Sequence, residues 1–162
     1  MRRFGFILFA FAACGLFIFP VSVMAQETAY AKERAAVQKL VDDAAELVLV
    51  QGAEGLKMLE EQIGEFEDKE QYVFITSESG ADLINPAFKD IEGMPVETYS
   101  DPAQIAAQKT IVNAVKDKDT AWVEYLWPKP QETTVSRKVA YLRKIMVNGK
   151  VRIVGAGFYP KE

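Results

Sequence analysis

The hydrophobic positions of residues 27–50 follow a helical period. Between residues 27 and 50, apolar residues recur three and four positions apart, with Ala, Glu and Lys between them. This stripe consists of Val37, Leu40, Val41, Ala44, Leu47 and Val48. The spacing predicts one long amphipathic helix. Gly52 ends this helix, and a second, shorter stripe predicts a helix over residues 53–63.

The period changes from helical to alternating in the middle of the chain. β-branched and aromatic residues between turn signals predict two strands, joined by a turn at Ser79-Gly80 and ended by Asn85-Pro86. The elements predicted here are a solvated connector, two strands and an irregular loop, over residues 64–70, 72–76, 81–84 and 88–100. A third helix then begins at Asp101, because Asp is a preferred N-cap and Pro102 suits the first helical position.

The third helix is predicted to run to about residue 116. Its expected buried side carries Ile105, Ile111, Val112 and Val115. Three aromatic-rich strands follow, over residues 122–128, 138–145 and 151–159. Asn148-Gly149 between the last two is a strong signal for a two-residue hairpin turn.

The order of these elements predicts an α+β domain with a central antiparallel sheet of about five strands. The long first helix needs an apolar surface for its stripe, and we expect it to pack on one face of the sheet. The other face then looks toward the irregular loop and the third helix, where a cavity can form. The stripe suffices for one sheet face but not for a second subunit as well, so we expect a monomer.

The first 25 residues have the features of a secretory signal peptide. Arg2-Arg3 precede an almost unbroken apolar run, Pro20 breaks that run, and Ala25 closes a small-residue cleavage site. We expect cleavage after Ala25, which leaves one domain over residues 26–162 in the periplasm or outside the cell. The alternative is an uncleaved helix that anchors the protein to the inner membrane, because a spanning helix needs only about 17 or more apolar residues.

The composition excludes several classes of function. The formal net charge is −4, and no basic patch suits a nucleic-acid backbone. The chain has no histidine, and its single cysteine, Cys14, lies in the leader. This excludes Ser-His-Asp and Cys-His catalysis and zinc sites built from His or Cys. The acidic residues do not converge in the sequence, so we expect no catalytic residues, no metal site and no cofactor.

Three motifs near the C-terminus resemble the single Cache domains, which are PAS-like extracytoplasmic sensor modules of bacteria. They are W-V-E-Y-L-W-P at residues 122–128, K-V-A-Y at 138–141 and G-A-G-F-Y at 155–159. The similarity extends over the whole exported part, although Asn85 stands where many relatives carry His. The resemblance implies a PAS-like sensor fold that binds small metabolites, often short carboxylic acids.

Lys138 is the sharpest candidate for a ligand contact, because a cation inside an apolar strand needs a compensating anion when it is buried. The alternative is a lysine whose amine reaches water while its stem covers apolar surface. We expect the ligand-binding residues to be Lys138, Tyr125, Trp127, Tyr141, Tyr72, Phe74 and Asn85. Strand alternation places Tyr125 and Trp127 on one face and Trp122 on the other, and we expect the first face to line the cavity. The aromatic residues could equally be ordinary core.

These observations predict an exported, non-catalytic module that binds a small molecule, with a short organic acid favoured. Because the chain ends at Glu162, shortly after the last strand, we expect the module to act through a separate membrane receptor or histidine kinase, or as a soluble scavenger. The alternative is an exported protein-interaction module without a small-molecule ligand, whose aromatic residues are core and whose long helix is a docking surface.

Overall fold

A computed structural model describes residues 30–61, 67–68 and 71–161 of the chain, with only the backbone at 67–68. The predicted leader and its cleavage site lie outside this part. The helices are α1 (Ala31–Gln51), α2 (Ala53–Glu61) and α3 (Pro102–Ala114). The strands are β1 (Glu67–Asp68), β2 (Gln71–Tyr72), β3 (Phe74–Ser77), β4 (Asp82–Ile84), β5 (Thr120–Pro128), β6 (Val135–Val147) and β7 (Lys150–Phe158).

The central sheet has five strands in the order β4-β3-β7-β6-β5, and every neighbouring pair is antiparallel. This confirms the predicted α+β class. Asn148 and Gly149 have φ values of 50° and 73°, the left-handed backbone that a two-residue hairpin between β6 and β7 requires. The predicted connector over residues 64–70 is wrong in one detail, because it contains β1, which forms a small antiparallel ribbon with β2.

Helix α1 packs on one face of the sheet, as its stripe predicts. Val37, Val41 and Val48 have no exposed surface, and they share a core with Val154 and Phe158 of β7. Gly52 ends α1 at a φ of 61°, and its backbone N–H donates to the Val48 carbonyl oxygen. In the described part of the chain, no helix combines the length and the apolar character that a membrane span needs.

Helix α3 covers the other face, and its N-terminus has the expected cap: the Asp101 carboxylate accepts a 2.8 Å hydrogen bond from the Ala103 N–H. The predicted buried side was partly wrong. Ile111 and Val115 are buried, but Ile105 and Val112 are only partly buried. Two glutamines, Gln104 and Gln108, occupy the inner face instead. Gln108 donates a 2.9 Å hydrogen bond to the Asp82 carboxylate of β4, which gives this buried amide a partner.

The predicted irregular loop connects β4 to α3 and contains two short 3-10 turns, Lys89–Ile91 and Val96–Thr98. Two hydrogen bonds connect this loop to the first residue of β4. The Gly93 N–H donates to the Asp82 carbonyl oxygen at 2.7 Å, and the Asp82 N–H donates to the Tyr99 hydroxyl at 3.4 Å. The loop between β4 and α3, the helix α3 and the sheet therefore enclose one region around Asp82.

Candidate functional site

Lys138 lies in the interior of this region. It is on the α3 side of β6, and its side chain is 1% exposed. The ammonium nitrogen lies 4.0 Å from the centroid of the Tyr72 ring and 5.4 Å from the centroids of Phe74 and Tyr159. Aromatic faces attract a cation at these distances. The alternative in which the amine reaches water is wrong.

Two glycines of β7 make room for this arrangement. A Cβ atom at Gly157 would lie 2.9 Å from Cε of Lys138 and 2.6 Å from the Val139 carbonyl oxygen. A Cβ atom at Gly155 would overlap the Phe74 ring. The bare backbone of β7 thus leaves the space that the lysine stem and the Phe74 ring occupy.

Asp82 is the second charged group in this region, and it has no exposed surface. Its Oδ1 accepts hydrogen bonds of 2.9 Å from Thr76 Oγ1 and from Gln108 Nε2. Its Oδ2 accepts one of 2.8 Å from Asn85 Nδ2. Burial raises the pKa of Asp82, and these hydrogen bonds together with the charge of Lys138 oppose that rise.

The environment also perturbs the neighbouring ionisable groups. Burial lowers the pKa of Lys138 to about 7, and the charge of Asp82 opposes this shift. Burial raises the pKa of Tyr125 and of Tyr72 well above the usual value, with Tyr159 adding to both shifts. Both phenols therefore stay neutral, while Lys138 titrates near neutral pH.

These side chains surround a small cavity. It is lined by Tyr72, Phe74, Asp82, Asn85, Gln108, Ile111, Tyr125, Trp127 and Lys138. Six of the seven side chains predicted as ligand contacts are among them. Tyr125 is the direct cross-strand partner of Lys138, and its ring meets that of Trp127 edge to face at 6.2 Å. The open space is only about 10 Å³, room for about one water.

Tyr141 is the exception, and its predicted place in the cavity is wrong. It is three residues from Lys138 along β6, and an odd spacing in a strand places two side chains on opposite faces. Tyr141 packs at 5.2 Å against Trp122, in the core beneath α1. The choice of the Tyr125 and Trp127 face for the cavity agrees with the structure.

Sequence reasoning missed Asp82, Gln108 and Thr76. Two signals were available in the sequence. Asp82 is an acid within a short apolar strand, and Gln108 lies at the helical spacing of the apolar residues of α3. Asp82 and Gln108 are 26 residues apart, so no local spacing connects them.

A larger open depression of about 680 Å³ lies beside the hairpin, between Leu49, Val115 and Met146. Its most enclosed cations already have partners. Arg143 donates to Asp42 of α1 at 2.9 Å, and Lys144 donates to the Val115 carbonyl oxygen at 3.0 Å. The small cavity around Lys138 is therefore the better candidate site, because it holds charged and polar groups out of water.

Comparison with known proteins agrees with this architecture. The model of the Cache domain family matches residues 27–162. The chain belongs to the Cache domain family. Members of this family are extracytoplasmic sensor modules, and the predicted resemblance is confirmed. No curated protein matches the chain significantly.

Several solved structures of Cache and chemotaxis sensors share the fold. The periplasmic sensor domain of a chemotaxis protein is 26% identical, with a TM-score of 0.68, and the match covers 81% of this chain and 97% of that one. A Cache chemosensory domain that recognises carboxylic acids is 23% identical, with a TM-score of 0.68 and coverages of 83% and 98%. A methyl-accepting chemotaxis protein from Vibrio parahaemolyticus is 13% identical, with a TM-score of 0.68 and coverages of 85% and 95%.

Proposed function

We propose that this Cache domain binds a short organic acid outside the cytoplasm and catalyses no reaction. One observation carries the proposal: the Lys138 ammonium is buried among aromatic rings at the edge of a cavity. A carboxylate that enters the cavity would supply the compensating charge. Charge-assisted hydrogen bonds of this kind contribute about 1.5–3 kcal/mol.

The proposed ligand is small because the site is nearly filled by its own side chains. The cavity of about 10 Å³ must widen before even a short acid can enter. The loop between β4 and α3 packs against one of the rings that line the cavity. Phe88 of that loop meets the Trp127 ring edge to face at 5.6 Å, so an outward shift of Phe88 would free the ring of Trp127.

The carboxylic acids recognised by the 23%-identical Cache chemosensory domain give this ligand class a precedent within the fold. At that identity the likeness concerns the fold alone. The choice of an acid for this chain therefore rests on the charge and burial of Lys138.

Thermal shift of residues 26–162 against a panel of short carboxylic acids tests the proposal. A ligand that binds only the native state raises the unfolding midpoint by mass action. Calorimetric titration then compares wild type with Lys138→Met, which keeps most of the stem and removes the charge. We expect affinity to fall by about tenfold to a hundredfold, since about 1.4 kcal/mol is a factor of ten.

Two variants control that titration. Lys150→Met removes a charge from the exposed start of β7, and Tyr141→Phe alters the opposite face of the sheet. Both should bind as wild type does. Equal affinities of wild type and Lys138→Met would rule out the lysine as the anion contact.

The small volume of the cavity favours a second candidate, a protein-interaction module without a small-molecule ligand. In that case the aromatic residues around Lys138 are core, and no acid in the panel would raise the unfolding midpoint. Pull-down of a binding protein from the native cell envelope, combined with an unchanged midpoint throughout the panel, would favour this second function.

For the biological setting, we propose a protein that is released by cleavage after Ala25 and passes its ligand-bound state to a separate receptor or histidine kinase. Intact-mass measurement of protein recovered from the cell envelope should give a chain that begins at Gln26. A full-length species in the membrane fraction would instead support the anchored form.

We propose that the released domain is a monomer, because the sheet buries the α1 stripe. Light scattering at micromolar concentration should give the mass of one chain. A doubled mass would contradict this proposal and point to the exposed outer face of α1.

A further inference from the structure

The polar groups of the cavity include hydrogen-bond acceptors to which no described residue donates. Asn85 and Gln108 are each 2% exposed, and each directs its amide nitrogen to the Asp82 carboxylate. This fixes the orientation of both amides. Asn85 Oδ1 and Gln108 Oε1 are buried and have no hydrogen-bond partner among the residues that the structure describes.

The same cavity also carries unused donor capacity. Trp127 Nε1 is buried without a hydrogen-bond partner in the described part of the chain, and the Lys138 ammonium lies over aromatic faces. A buried polar group without a partner is costly, so native structures rarely keep one without a reason. Here the residues that carry two unpaired acceptors, one unpaired donor and the Lys138 ammonium line one cavity, which has room for about one water.

A ligand whose only polar group is a carboxylate can form hydrogen bonds only with the donors of the cavity. Its oxygens accept hydrogen bonds from Lys138 and Trp127, but they repel the amide oxygens of Asn85 and Gln108 and the carboxylate of Asp82. A ligand that displaces the water from the cavity must therefore bring a donor of its own for these acceptors. Otherwise they stay buried and unpaired.

We propose that the ligand is a short carboxylic acid with a hydrogen-bond donor, a hydroxyl or an ammonium group, beside its carboxylate. This rests on the proposed function and narrows it. The carboxylate contacts Lys138, and the donor contacts the acceptors held by Asn85 and Gln108 around Asp82. An ammonium group would also balance the charge of Asp82, whereas a hydroxyl would leave one excess negative charge in the cavity.

Propionate, lactate and alanine form a matched series for the test, since they share a three-carbon skeleton and differ at the second carbon. Calorimetric titration of residues 26–162 should show lactate or alanine binding at least about tenfold more tightly than propionate, the effect of one well-made hydrogen bond. A preference for lactate identifies a hydroxyl, and a preference for alanine identifies an ammonium group. Equal affinities for all three would overturn the inference but leave the proposed function intact.

A pair of variants locates the source of the preference. Gln108→Met keeps the length of the side chain and removes the amide. In this variant the affinity for lactate or alanine should exceed that for propionate by only about threefold or less. Gln104→Met changes the same face of α3, one turn earlier and outside the cavity lining, and should keep the full ratio. A full ratio in Gln108→Met would contradict the inference. The ligand series in wild type remains decisive if that variant fails to fold.

Failure of the proposed function has a different signature. If no member of the series and no other short acid of the panel binds the folded wild type, both the proposed function and this inference are wrong. If propionate binds as tightly as its relatives and depends on Lys138, only the inference is wrong.

Discussion

Gly157 leaves the space on the sheet that the Lys138 side chain fills. A Cβ atom at residue 157 would lie 2.9 Å from Cε of the lysine, closer than real Cβ contacts come. Gly157 is the cross-strand partner of Ala140, two residues from Lys138 on the same face of β6. The glycine in β7 and the buried cation in β6 therefore form one feature of the site.

The first prediction concerns this glycine. Gly157→Ala should lower the free energy of unfolding by about 1–3 kcal/mol, the usual effect of overpacking. The lysine stem can move, but the Val139 carbonyl oxygen at 2.6 Å is backbone and cannot move without disturbing the ladder. Chemical denaturation measures the change. Lys150→Ala, at the exposed start of the same strand, is the control and should be close to neutral.

The second prediction is that stability depends on pH through Lys138. An unfolded lysine titrates near 10.4 and the folded one at about 7. Below pH 7 both states hold the proton, and the buried charge destabilises the fold. Between about pH 7 and 10 only the unfolded state holds it, so the free energy of unfolding rises by up to about 1.4 kcal/mol per pH unit.

Lys138→Met isolates this effect. Its free energy of unfolding should equal or exceed that of wild type near neutral pH, and its advantage should shrink as the pH rises. Denaturation of both proteins between about pH 7.5 and 9.5 avoids the ionisation of unfolded tyrosines near pH 10. Curves that stay parallel across this range would show that the Lys138 amine keeps its proton in the fold.

The third prediction is that ligand binding takes up a proton. A bound carboxylate favours the charged amine and raises the pKa of Lys138 from its unliganded value of about 7. Affinity for the acid should therefore fall as the pH rises above 7, by up to about tenfold per unit. Calorimetry at about pH 8 in phosphate and in Tris should give different binding enthalpies. Identical enthalpies would mean that no proton is exchanged.

The fourth prediction concerns Asp82. Asp82→Ala leaves the hydrogen-bond donors of Thr76, Asn85 and Gln108 without their acceptor, and it should lower the free energy of unfolding by about 2–5 kcal/mol. Asp90→Ala, in an exposed 3-10 turn of the neighbouring loop, is the matched control and should change stability by less than about 0.5 kcal/mol. A small loss for Asp82→Ala would show that water can replace the carboxylate.

Some features of the site could be predicted from the chain because they depend on local patterns. Alternation along β5 placed Tyr125 and Trp127 on one face, and the isolated cation identified Lys138. The same alternation argues against Tyr141, since three positions along a strand reverse the side-chain direction. That prediction failed because it did not apply the parity of β6, which places Tyr141 and Lys138 on opposite faces of the sheet.

Local patterns in the sequence were enough to predict the three helices, most of the strands, and the faces of α1 and β5. The helical stripe of α1, the Asp101-Pro102 start of α3 and the Asn148-Gly149 hairpin follow from backbone geometry and short-range contacts. Only the tertiary structure decided that Lys138 is buried and that Asp82 and Gln108 share its cavity. Periodicity specifies which face of a strand is covered, but the covering element and its rotation depend on contacts between residues far apart in the chain, such as the 26-residue separation of Asp82 and Gln108.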